Sequence, residues 1–183
     1  MQIGRNTLNR LPLFKDIIPV YAVIAFMIQA WTIGVLFGQL PSWSNFLSID
    51  EILAVVAYRI AESFMECLLL LGILILTSFI LPPRFFRNVF VVRGAAFSMC
   101  LLSLIILFWK RFESDPGVLM SDYIQIWTVA AFLLASLISY ASAKIRAVSD
   151  FMDWVSDRMI VFLYILMPLS VVSLIMVLIR NVI

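Results

Sequence analysis

Histidine is missing altogether from this chain of 183 residues. Histidine-ligated haem or chlorophyll, histidine metal sites and every imidazole acid–base scheme go with it. Cysteine is nearly as rare: Cys67 and Cys100 each sit inside an apolar run, without CxxC spacing. Such residues serve as small packing groups rather than as a disulfide or metal ligands. Charge is scarce too, with Asp, Glu, Lys and Arg at 13% of residues against roughly 25% in soluble domains. The net charge of +2 includes no basic tail or block, which excludes nucleic acid as a partner. No H-E-x-x-H, G-x-S-x-G or glycine-rich phosphate loop occurs, and no serine has a histidine to activate it. Lys15, Lys110 and Lys144 all lie outside the apolar interiors, so a buried Schiff-base lysine is excluded as well. The residues therefore nominate no catalytic group, no cofactor site and no metal ligand.

What the chain has in plenty is apolar side chain, at 64% of residues with a mean hydropathy of +1.09. Soluble domains carry roughly 45–50%, and a water-soluble fold of this size could not hide the excess. Lipid is the expected solvent. Spans of about 20 residues fit five times, over about 17–40, 62–81, 90–109, 123–143 and 159–179. Little remains beyond tails and loops, so residues 1–183 read as a single integral membrane domain with no soluble catalytic unit.

Local signals set the boundaries. The basic head Met1–Asp16 before the first run resembles a signal peptide, but the run is too long and Gly38-Gln39-Leu40-Pro41 offers no A-x-A site. It reads as a retained span. Ser48 and Glu51 have capping-box spacing, and nothing breaks a helix from there to Leu81, where Pro82-Pro83 ends it. Such a helix of about 50 Å outruns a hydrocarbon core of about 30 Å, so its first turns lie outside. Ser114-Asp115-Pro116-Gly117 is a turn sequence, and Asp122 with Gln125 can cap the fourth span. Between spans four and five, Ile145, Val148, Met152 and Val155 fall near one helical face, which suggests an interfacial helix or helical extension. Asp150, Asp153 and Asp157 share helical spacing there and read as a solvated acidic face rather than a cation site.

Orientation follows from the basic residues. Arg5, Arg10, Lys15, Arg84, Arg87, Arg93, Lys144, Arg146 and Arg158 fall on one side, and Arg59, Lys110, Arg111 and Arg180 on the other. The richer side is cytoplasmic, which puts the N-terminus inside and the C-terminus outside. Trp43, Trp109, Trp127, Tyr123 and Tyr140 near the span ends fit an aromatic belt.

A few polar residues interrupt the runs. Arg59, Glu62, Ser63 and Glu66 make one stripe on the second helix. Glu62 falls near the outer hydrocarbon boundary and Glu66 about 6 Å deeper. A membrane carboxylate is costly, about 2.5–3.5 kcal/mol at the bilayer centre. Glu66 should therefore face protein or water, with Arg59 or another helix as partner. The plain reading is a salt-bridge stripe that orients the helix; the sharper one is a proton- or cation-binding site. Gln29, close to Trp31 and Thr32, should hydrogen-bond another helix. Ala30, Gly34 and Gly38 form a small-residue seam on span one, and Ala131, Ala135, Ser139 and Ala143 a second on span four. Pro168 should kink span five by freeing the Tyr164 carbonyl. Arg93 is placed to snorkel to lipid phosphate.

The expectation is an all-α, polytopic transmembrane helix bundle of five spans, N-terminus cytoplasmic and C-terminus outside, in a cell membrane such as the bacterial inner membrane. The absence of N-x-S/T fits that setting. Its leading function is non-enzymatic: a small subunit or scaffold packing against lipid and against other membrane subunits or itself. The alternative is a transporter or channel component using Glu66, with Glu62 and Arg59 as its vestibule. A lipid-modifying enzyme would need polar residues converging on one lateral cavity.

Overall fold

A computed structural model describes residues 12–80, 89–114 and 121–182, with side chains left out of the description at 112–114 and 121–122. The architecture is all-helical. Five helices follow one another, each long and apolar enough to cross a membrane: α1 Phe14–Trp43, α2 Ile49–Ile80, α3 Phe90–Ser114, α4 Ser121–Ser142 and α5 Arg146–Val182. Leu, Ile, Ala and Met dominate their interiors, residues that lose little rotamer freedom in a helix. Pro19 and Pro41 lie within α1, and each leaves the carbonyl four residues back without its intrahelical donor.

Helix α1 is the hub. It packs against α2, α3 and α5, and 44% of its most apolar stretch is buried, against 17–22% for α2, α4 and α5. Its first half sets the core: Val20, Ile24 and Ala25 cluster with Cys67 and Leu74 of α2 and with Phe90 and Leu102 of α3. The α1–α3 approach is close because Gly94 has no side chain. A Cβ there would stand 3.1 and 3.2 Å from the two methyl carbons of Val20. Toward α5 the contacts are aromatic and polar, with the Phe26 and Phe162 rings 4.8 Å apart and the Tyr21 hydroxyl 3.6 Å from the Met167 sulfur. Helix α4 packs along α3 and only brushes α5.

The connection between spans four and five takes the helical-extension form: after a short turn at residues 143–145, residues 146–158 are the first part of α5. One helix of 37 residues results, about 55 Å long, and Pro168 is accommodated within it. Helix α4 is described from Ser121 onward, and the side chain of Asp122, expected to cap it, lies outside the described residues. Only Glu51's half of the box at the start of α2 forms. Its Oε2 accepts both the Ser48 N–H and the Ser48 hydroxyl, each at 2.8 Å. The basic residues Arg5, Arg10, Arg84 and Arg87, the pair Pro82-Pro83 and the turn at 115–117 lie outside the described residues.

Candidate functional site

Three helices leave a cavity at the end of the bundle where α1 finishes and α2 begins. Helices α2 and α3 each pack along α1 but make almost no contact with each other over the described residues. The α1 surface between them becomes the floor of a groove, and α2 and α3 are its walls. The cavity measures about 520 Å³, within the range of about 300–1,000 Å³ typical of small-molecule sites.

Helical periodicity explains the lining. Ile28, Thr32, Val35 and Gln39 recur every three or four residues on α1, with Trp31 beside them, and so share one face. Arg59, Glu62, Ser63, Glu66 and Leu70 do the same on α2, as Leu102, Ile105, Ile106 and Trp109 do on α3. The stripe Arg59–Glu62–Glu66 thus faces a shared space rather than a helix partner. Most of the wall is aliphatic or indole, and the charged groups come from α2 alone.

Pairing within the stripe is uneven. Arg59 Nη1 lies 3.1 Å from Glu62 Oε2, with both side chains more than half exposed. An exposed pair of that kind contributes at most about 1 kcal/mol, but it balances one carboxylate with the only guanidinium nearby. Glu66 makes no hydrogen bond or ion pair within 4 Å among the described residues. The expected partnership of Arg59 with Glu66 does not form, because Glu62 is one turn closer. One carboxylate is left without an ion pair, exposed to the groove.

Other candidates lie elsewhere. Gln29 points away from the groove, toward α5, although Trp31 and Thr32 face into it. Its Nε2 donates to Ser170 Oγ at 2.7 Å, and its Oε1 is buried without a partner. Ser170 in turn donates to the Leu166 carbonyl at 2.8 Å, a pair that flanks Pro168. The two small-residue seams part company. Ala131, Ala135 and Ser139 are buried, and the Ser139 hydroxyl donates to the Arg93 carbonyl at 3.1 Å. Ala30, Gly34 and Gly38 are exposed, and a Cβ on either glycine would meet nothing within 4 Å. Arg93 does not snorkel: it is 8% exposed and lies over the Tyr140 ring at 5.7 Å, a ring that Lys144 approaches at 4.4 Å. Burial by α4 prevents the extension expected of it. Among the described residues, Asp150, Asp153 and Asp157 do not converge as metal ligands. Cys67 is buried and Cys100 half-buried, both as free thiols.

Sequence reasoning found the α2 stripe but missed the two helices facing it. A signal existed on α1, where Thr32 and Gln39 are seven residues apart and Trp31 adjoins them, which puts the polar groups on one face. On α3 the face from Leu102 to Trp109 is apolar and cannot be told from lipid-facing surface. Comparison with protein-family models, with curated proteins and with solved structures returns no match. The functional reading therefore rests on this chain's own residues.

Proposed function

We propose that this chain is a multi-pass integral membrane protein, a single domain with its N-terminus in the cytoplasm, and that the groove between α1, α2 and α3 binds a cation at Glu66. Insertion in lipid is supported by the many large apolar side chains exposed all along α4 and α5, among them Ile126, Phe132, Leu137, Tyr164 and Val172. In water such continuous apolar surface would drive aggregation. The balance of basic residues then puts the groove in the outer half of the bilayer, its mouth at Gln39 and Arg59 and its apolar floor toward the midplane.

The observation that carries the functional reading is the uncompensated carboxylate of Glu66. At that depth a charge needs water, a proton or a cation to offset its desolvation, and the cavity gives access to each. This makes the protein a transporter or channel component with a carboxylate site, and it reverses the ranking that the residues alone suggest. Electrogenic cation uptake into reconstituted proteoliposomes tests it. Wild-type vesicles should exceed protein-free ones, and Glu66→Gln should remove the excess. Equal uptake by the two proteins would defeat the reading.

The subunit reading keeps one specific support, the exposed seam Ala30–Gly34–Gly38. Seams of this type let helices approach closely, and among the described residues nothing lies within 4 Å of a Cβ at Gly34 or Gly38. A partner subunit or a second copy could pack there without blocking the groove from the outer side.

A further inference from the structure

The lining residues speak to which cation fits. We propose that the groove takes a hydrophobic organic cation, its charge at Glu66 and its apolar body against Trp31 and Trp109. This inference rests on the cation-binding reading of Glu66 and adds the substrate class.

A bare inorganic ion suits the cavity poorly. Calcium takes six to eight oxygen ligands, and magnesium keeps near-ideal octahedral oxygen coordination. Of the two carboxylates lining the groove, Glu66 is the one without an ion pair, and the other side-chain oxygens of the lining are few: Glu62, Ser63, Thr32 and, toward the mouth, Gln39. A volume of about 520 Å³ also far exceeds one dehydrated ion. An organic cation meets the opposite conditions. It needs one counter-charge, apolar surface for its body, and aromatic rings, which attract cations within about 6 Å of the ring centroid. Glu66 supplies the first. Leu70, Ile105 and Ile106 supply the second, and the indoles on α1 and α3 the third. With Arg59 paired to Glu62, the lining carries one net negative charge, which one monovalent cation balances.

Equilibrium binding of radiolabelled tetraphenylphosphonium to the purified full-length protein in detergent tests the assignment, with radiolabelled sodium as a parallel probe. Wild type should bind the organic cation saturably, one per chain. Glu66→Gln should weaken binding about tenfold or more, Glu66→Asp should retain most of it, and Trp31→Leu should weaken it about threefold. Elution profiles report whether each variant is folded. If Glu66→Gln is not, unchanged binding by Trp31→Leu overturns the proposal by itself. Equal affinity of wild type and folded Glu66→Gln also overturns it. Sodium binding that depends on Glu66, without tetraphenylphosphonium binding, refutes the organic cation but keeps the carboxylate site. If neither probe depends on Glu66, both readings fall.

Discussion

Replacing Gln29 by leucine should leave the protein as stable as wild type or more so, although the change deletes a short interhelical hydrogen bond. The Ser170 hydroxyl gives its one proton to the Leu166 carbonyl, so toward Gln29 it can only accept. This fixes Nε2 as the amide atom facing it and leaves Oε1 turned into a site where it has no partner. Interhelical hydrogen bonds in membrane proteins average about 0.6 kcal/mol. A buried, unsatisfied polar atom costs about 1–3 kcal/mol. Leucine removes both at nearly the same volume, and the net change should be about 0.5–2 kcal/mol in favour of the folded state. Ser170→Ala has the opposite sign, because it orphans Nε2 as well and should cost about 1–3 kcal/mol. In the Gln29→Leu background that cost should vanish. With Cys100, a half-buried free thiol, replaced by alanine, thermal unfolding read by a thiol-reactive dye suits the series, since Cys67 is fully buried in the fold and reacts only when the core opens. A Gln29→Leu variant that melts earlier than Ser170→Ala would refute the reasoning and reveal a bound partner on Oε1.

Further expectations follow from the packing. Gly94→Leu should destabilise by about 1–3 kcal/mol, the usual cost of overpacking, because Val20 stands 3.1 Å from where its Cβ would be; an unchanged melting point would mean that α1 and α3 are farther apart. Ala135→Leu should cost a similar amount, since Ala135 is fully buried. Gly34→Leu should stay within about 0.5 kcal/mol of wild type, and a large loss would show the seam to be covered. Should Gly34→Leu reduce the mass of a complex extracted in mild detergent while leaving the chain folded, the exposed seam is a subunit contact. Unchanged mass removes that support.

How much of this could be read in advance depends on the range of the signal. Helices were legible because apolar runs, caps and breakers act within a few residues, and five of them emerged near the expected positions. The ends shifted where two local rules competed. Residues 144–158 can lie at an interface or continue a helix, and with no proline before Pro168 they continued it. Glu62 and Glu66 were legible as a stripe, but which of them Arg59 would choose depends on side-chain reach. The groove itself was illegible. It exists because α2 and α3 both lean on α1 without meeting, and packing partners across long sequence separations leave no trace in one chain. The same limit hid the burial of Arg93, whose cover comes from α4.

The cation site depends on the groove opening to the outer face of the membrane. With Cys67 and Cys100 replaced by alanine, single cysteines at Gln39 and at Lys144 can be probed in intact cells with a membrane-impermeant maleimide. Gln39→Cys should label at once and Lys144→Cys only after permeabilisation. Labelling of Lys144→Cys from outside, with Gln39→Cys protected, would contradict the account.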